Sequence, residues 1–355
     1  MTGNKTPTRC YWELTRRCPS SCIFCRAKGA EEEQRESTLA ESLHIAGQLA
    51  QCGITRVVLT GGEPVTYPGW ERIAAALVQN GVAVWLFTSG VGFEPAHLQK
   101  ATDAGVSRFL LPIDGDSHTH NLLRPATGPG GDDSYRQALE TLRLLQKSAS
   151  EVSVVTQVNH INAGVLNSVY ELLRDRSVSR WQVHLCQLTG NAGRNRDALL
   201  QEPGDMERIV DVLLRAAKER LVIAPLHCSI GYMIKEEPVL RGRIGRGRPV
   251  FDGCPAGIRT FGITPNGGVK GCTTLEDEFV TASLATRELA DILADDNSFP
   301  YTRIPAAKHL EAHCARCAMG EICRGGCPAV AYGLTGSIGA NPLCLKHLRN
   351  LCDPA

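Results

Sequence analysis

The 355-residue chain carries 38 Lys and Arg against 37 Asp and Glu, a formal net charge of +1, with 43% hydrophobic and 21% charged residues. That balance argues against a broad nucleic-acid surface, and no apolar run is long enough to span a bilayer, so neither nucleic acid nor membrane is an expected partner. Cysteine is the departure from ordinary composition, with 15 residues, an odd number. Met1–Arg9 is polar and lacks the apolar stretch of a secretory signal. A reducing, cytoplasmic compartment with metal-bound thiolates is therefore expected in preference to disulfides.

In chain order, Cys10–Thr15 reads as a strand, and Thr38 with Glu41 forms a capping box opening a helix that runs to about Cys52. Arg56–Thr60 is a short apolar run ending in Gly61-Gly62, the pattern of a buried parallel strand. The alternation continues with helix Trp70–Gln79, strand Val82–Thr88, helix Pro95–Ala104, strand Ser107–Ile113 and helix Ser134–Lys147. Strand Val152–Asn159, helix Val165–Arg174, strand Trp181–Gln187, helix Asp205–Arg220 and an apolar run at Leu221–Ala224 complete it. Six βα units imply an α/β fold with a parallel sheet, a partial (β/α)6 TIM-like barrel whose active site lies in the βα loops.

The pattern changes after Pro225. Residues 226–253, with Gly242–Pro249 (GRIGRGRP), read as a connector between a core domain at 1–225 and a Gly-, Pro- and Cys-rich domain at 254–355. The last region is too loop-rich to hold itself by apolar burial, and metal would staple it.

Three cysteines, Cys18, Cys22 and Cys25, share the loop after the first strand. Three thiolates on one loop can hold three irons of a [4Fe–4S] cluster and leave the fourth open to a ligand; a zinc site is the other reading. Downstream stand Cys254, Cys272, Cys314, Cys317, Cys323, Cys327 and Cys344. For Cys314, Cys317, Cys323 and Cys327 the alternative is a zinc ribbon.

The Cys18-x3-Cys22-x2-Cys25 spacing, with Phe24 before the last cysteine, resembles the signature of the radical S-adenosylmethionine (SAM) superfamily. The resemblance implies that SAM chelates the open iron and that its cleavage gives a 5′-deoxyadenosyl radical, which abstracts hydrogen from a substrate. Gly61-Gly62-Glu63-Pro64 resembles the family's GGEP motif, which meets the methionine amino group. The paired glycines would let backbone approach that ligand closely. Thr88-Ser89-Gly90 is similar to an element near the ribose, and Ile113-Asp114-Gly115 to an S-x-D-G element, with Pro112 in the serine position. Arg124 stands where the family often pairs the SAM carboxylate, and Asn159, at the end of the fifth strand, would face the cofactor.

The seven downstream cysteines resemble the SPASM motif, which in its family binds two auxiliary [4Fe–4S] clusters, three clusters in all with the first. By that resemblance Cys254, Cys272 and Cys327 serve the inner cluster and Cys314, Cys317, Cys323 and Cys344 the outer one. Some members add a cysteine at the position of Thr260. Here either a fourth ligand comes from elsewhere, Cys228 being nearest in sequence, or one inner iron is open. Cys10, Cys52, Cys186 and Cys352 read as core or surface thiols.

The resemblance implies an enzyme that takes electrons from a reductase or flavodoxin-type donor. Its expected substrate is a ribosomally made peptide, in which it installs a C–C, C–O or thioether crosslink, using a separate leader-recognition protein or none. A dehydrogenase or epimerase of a sugar or amino-acid metabolite is the alternative, and a non-catalytic iron–sulfur electron carrier is an alternative of another class. Thr273 follows Cys272 where sulfatase-maturing members carry an aspartate base, which argues against that activity. Glu276 is the candidate base, although its loop position suggests an exposed carboxylate.

Overall fold

The computed structural model describes residues 7–26, 35–127, 131–176, 178–219, 223–225, 229–241, 251–303 and 308–351. Cys228, Cys352 and the segment Gly242–Pro249 lie outside the described residues. Ten strands form one sheet: β1 (Arg9–Thr15), β2 (Arg56–Gly61), β3 (Ala83–Phe87), β4 (Arg108–Pro112), β5 (Glu151–Val158), β6 (Arg180–Leu185), β7 (Ile223–Pro225), β8 (Thr260–Ile263), β9 (Gly268–Lys270) and β10 (Ala282–Ser283). Their order is β10-β9-β8-β1-β2-β3-β4-β5-β6-β7. β1 to β8 are parallel; β9 and β10 turn back antiparallel. The sheet is open, a partial barrel with edges at β7 and β10.

Strands β1 to β6 are each followed by helix before the next strand. The apolar run before Pro225 supplies β7, a short seventh parallel strand. β8 adds to the other side of β1, pairing Arg9 with Thr260 and Trp12 with Ile263, so residues beyond 254 continue the same sheet. The helix Ser117–Leu123 had no clear sequence signal; Asp116 caps it by accepting from the Thr119 N–H.

Alternation divides each strand between two faces. Cys10, Trp12 and Leu14 of β1 join the main core under the helices, with Val57, Leu59, Phe109, Leu111, Trp181 and Val183. Tyr11 faces the barrel interior with Val58, Trp85, Phe87, Leu110 and Val155. The helix Trp70–Gln79 shows how the outer layer is held: Trp70, Ile73, Ala74 and Leu77 recur at helical spacing and are all buried. The larger of these side chains each contribute about 1.5–3 kcal/mol. After residue 284 no helix exceeds the eight residues of Pro328–Thr335 among those described. Among the described residues no helix is long and apolar enough to cross a membrane.

Candidate radical-generating centre

The first cysteine loop leaves β1 at its C-terminal end and is clamped from two sides. Ser21 N–H donates to Pro125 O (2.7 Å) and Ile23 N–H to Leu123 O (3.1 Å). Asn191 N–H donates to Cys25 O (3.0 Å), and the Asn195 amide to Ile23 O (2.9 Å). Cys18, Cys22 and Cys25 thus form one electrostatic group, with Arg124 and Asp114 beside Cys22. Burial pushes the Cys22 thiol up to about 12, against the opposing pull of Arg124, whose Nη1 lies 3.8 Å from the sulfur. An iron cluster would supply the positive charge that makes these thiols thiolates. Phe24 packs under the same guanidinium, 4.8 Å from ring centre to Cζ.

The GGEP turn is built onto this loop. Gly62 N–H donates to Thr15 O (2.7 Å) and Glu63 N–H to Arg17 O (2.8 Å). A Cβ on Gly61, at φ +141°, would stand 2.3 Å from Thr15 O, and one on Gly62 would stand 2.2 Å from Arg17 O. The glycines therefore admit the protein's own backbone at residues 15–17. Pro64 opens a single 3-10 turn, Pro64–Thr66.

Glu63 is 1% exposed. Its Oε2 accepts from both the backbone N–H and the hydroxyl of Ser89, each at 2.6 Å. Its Oε1 is buried and has no hydrogen-bond partner. Burial raises its carboxyl to about 7, against the lowering effect of the Ser89 bonds and of the nearby Thr88 hydroxyl and Val65 N–H. Such an oxygen fits an ammonium group. Ser89 holds Glu63 in place.

Asp114 and Arg124 form a buried ion pair, Nε to Oδ2 2.5 Å. The other Asp114 oxygen accepts from Gln157 N–H (2.8 Å). Arg124 therefore already has a carboxylate partner within the chain. Asn159 is fully buried and capped into its own turn: its Oδ1 accepts from Ile161 N–H (2.9 Å) and its amide donates to Gln157 (3.0 Å).

A third group of charges lies between the cysteine loop and the strand that leads to Cys272. Lys270, with no exposed surface, donates to Leu275 O (2.7 Å) and Asp277 Oδ1 (3.1 Å). Arg16 reaches Asp277 Oδ2 at 2.5 Å, and Arg26 pairs with Glu13. Despite partial burial, these cations hold Asp277 well below the usual carboxylate range, which unfits it as a base at neutral pH. Glu276 is half-buried, not exposed as expected, and accepts from Gly190 N–H (3.1 Å).

The downstream cysteines fall into two electrostatic groups. Cys314, Cys317, Cys323 and Cys344 interact with one another and line a small cavity of about 20 Å³, with Met233, His313, Met319 and Lys346 on its wall. Cys327 interacts instead with Cys272, and both Cys272 and Cys254 lie beside Tyr301. The first of these groups includes Cys344, which a zinc ribbon of Cys314, Cys317, Cys323 and Cys327 leaves out. Among the described residues no three His, Cys, Asp or Glu side chains converge on a single-ion site.

Tyr232 had no sequence motif to mark it. It is buried, packs with Phe251, Cys323 and Cys344, and bonds the Asn341 amide. A Cβ on Gly326 would stand 2.3 Å from its hydroxyl. It thus lies between the two thiol groups, beside the turn joining Cys323 to Cys327.

Residues 12–164 match the model of the Radical SAM superfamily. An AdoMet-dependent heme synthase of Methanosarcina barkeri is 26% identical over 96% of this chain and 96% of its own. A PqqA peptide cyclase of Bradyrhizobium diazoefficiens is 25% identical over 95% of this chain and 86% of its own. Among solved structures, anSMEcpe with bound AdoMet and the Kp18Cys peptide superposes with a TM-score of 0.75 at 15% identity, covering 97% of this chain and 95% of that one. Streptococcus suis SuiB bound to the precursor peptide SuiA gives 0.72 at 16% identity, covering 96% and 76%. Residues 12–164 therefore carry a radical SAM domain, and with these relatives the protein is an enzyme of radical chemistry, for which that superfamily implies a [4Fe–4S] cluster and SAM.

Proposed function

We propose that the enzyme binds SAM at the Cys18/Cys22/Cys25 loop and modifies a ribosomally made peptide by installing a crosslink. The observation that carries the cofactor part is the unpaired, buried Oε1 of Glu63, on a turn hydrogen-bonded to the cysteine loop. When bound, the cluster and SAM supply a 5′-deoxyadenosyl radical that takes a hydrogen atom from substrate. The chain's own residues do the rest. Glu63 receives the ammonium, Ser89 fixes the carboxylate's orientation, and Phe24 and Arg124 wall the Cys22 side.

The peptide reading is supported by relatives named as peptide cyclases and by shared fold with two proteins solved with peptides bound. In this reading residues 1–225 form the radical core, 226–253 a connector and 254–355 the auxiliary region. Cys254, Cys272 and Cys327 hold one auxiliary cluster; Cys314, Cys317, Cys323 and Cys344 hold the other. A flavodoxin-type donor supplies electrons. A second reading, a porphyrin-class small molecule as substrate, is favoured by the heme synthase match, which covers 96% of both chains.

The two are separated by incubating the reduced, iron-loaded enzyme and SAM with short peptides encoded beside its gene, and separately with iron porphyrins. A peptide product lighter by two hydrogen atoms supports the first reading. Turnover of the porphyrin alone overturns it in favour of the second.

A further inference from the structure

The N-terminal mouth of the barrel, opposite the cysteine loops, holds a charge arrangement that the radical chemistry does not use. Arg9 of β1 and Arg56 of β2 are cross-strand partners in register. Arg108 opens β4 and Arg180 opens β6. Arg9 alternates with core-facing Cys10 and shares its face with Tyr11. Arg56 shares a face with Val58, and Arg108 with Leu110; Arg180 alternates with Trp181. All four guanidinium groups therefore belong to the interior-facing side of the sheet at its N-terminal end.

They are crowded there. The Cζ atoms of Arg56 and Arg108 lie 3.9 and 4.4 Å from the centre of one ring, Trp85. Among the described residues Glu151, the Cα partner of Arg108 in β5, is the carboxylate that pairs with any of the four. Like charges directly opposite one another weaken a sheet. Burial and the neighbouring guanidiniums hold Arg56, Arg108 and Arg180 below the usual arginine range. Four cations and one anion, at a mouth that runs from exposed Arg9 to buried Arg108, leave a surplus of positive charge that no further carboxylate among the described residues pairs with.

We propose that this mouth binds a compact multivalent oxyanion of the phosphate class. Arginine's planar fork of donors suits such an anion, and a bidentate contact from each of two arginines would replace mutual repulsion by attraction. The site is about 20 Å from the cysteine loop, the length of β1 at roughly 3.3 Å per residue. It is therefore separate from the SAM site. The bottom of such a barrel is where stability is set, so the anion would act on stability and leave the radical chemistry in place.

The test uses the full-length, iron-loaded protein. Melting temperature and calorimetric binding are measured with inorganic pyrophosphate, inorganic phosphate and ADP, against chloride at equal ionic strength. Pyrophosphate is expected to raise the melting temperature where chloride does not. An equal response to ADP would identify a nucleotide's diphosphate as a source of the same group; a response to pyrophosphate alone would identify the free anion. In R180Q, pyrophosphate affinity should fall at least tenfold, while the melting temperature in chloride stays level or rises because repulsion is relieved. In E151Q, which leaves Arg108 unpaired, pyrophosphate should bind more tightly. Equal stabilisation by chloride would overturn the proposal. So would an R180Q protein that melts lower in chloride yet keeps its pyrophosphate response, since Arg180 would then be only a structural plug.

Discussion

Ser89 donates its backbone N–H and its hydroxyl to one oxygen of Glu63, both at 2.6 Å, and the other oxygen of that carboxylate is buried without a partner. One residue thus aims a carboxylate whose second oxygen keeps acceptor capacity for a ligand.

Burial raises Glu63 to about 7. The native carboxyl therefore binds a proton that the unfolded chain releases between roughly pH 4.5 and 7. Its contribution to stability falls as pH rises through that window and is level above it. An ammonium ligand needs the ionised form. SAM affinity should rise with pH by up to tenfold per unit below 7 and level off above it. E63Q should flatten that profile, weaken SAM binding by about tenfold or more, and stabilise the ligand-free protein at pH 8. Calorimetric titration of SAM between pH 6 and 8.5 checks the first two, and thermal melting checks the third.

Gly62→Ala should cost about 2–3 kcal/mol or more, because the new Cβ meets fixed backbone oxygens of Arg16 and Arg17, at 2.6 and 2.2 Å, with no flexible side chain to give way. The same substitution at Gly81, where nothing lies within 4 Å but φ is +78°, bears only the backbone strain. Denaturant unfolding of the two variants should therefore differ, and iron loading of the first cysteine loop should fall in Gly62→Ala alone.

Breaking the Asp114–Arg124 pair from one side should be expensive. Arg124→Met leaves a fully buried carboxylate unpaired beside Cys22, at a cost of about 3–5 kcal/mol. The double variant Asp114→Asn, Arg124→Met should recover most of that loss. Urea unfolding of the two single variants and the double variant measures the coupling, and additive effects would contradict it.

Tyr232→Phe removes the partner of the buried Asn341 amide. A loss of about 1–3 kcal/mol is expected. Because the Asn341 carbonyl also accepts from the Cys344 N–H (3.1 Å), the loosened turn should speed iron loss from the cluster proposed at the outer thiol group. Chelator-release kinetics followed by absorbance check this.

Much of the barrel was legible because its signals are local. Strand Arg56–Gly61 ends on the two glycines that mark it, helix Trp70–Gln79 has its apolar residues at helical spacing, and Thr38 and Glu41 make the capping box expected of them. What the sequence did not reveal depends on partners distant in the chain. β8 is four residues long and has meaning only beside β1. The roles of Gly61 and Gly62 depend on the backbone of residues 15–17, and that of Ser89 on a carboxylate 26 positions earlier. Tyr232 belongs to no motif, and its place between the thiol groups is set by Gly326 and Asn341, about a hundred residues downstream.

The central claim is that the loop of Cys18, Cys22 and Cys25, with Glu63 beside it, generates the radical. The most direct measurement is 5′-deoxyadenosine formed from SAM by the reduced, iron-loaded protein, compared with the triple variant in which these three cysteines are Ala. The account predicts nucleoside from the parent protein and none from the variant, which should still hold the iron proposed for the downstream cysteines. Continued nucleoside formation by a variant with that iron intact would contradict it.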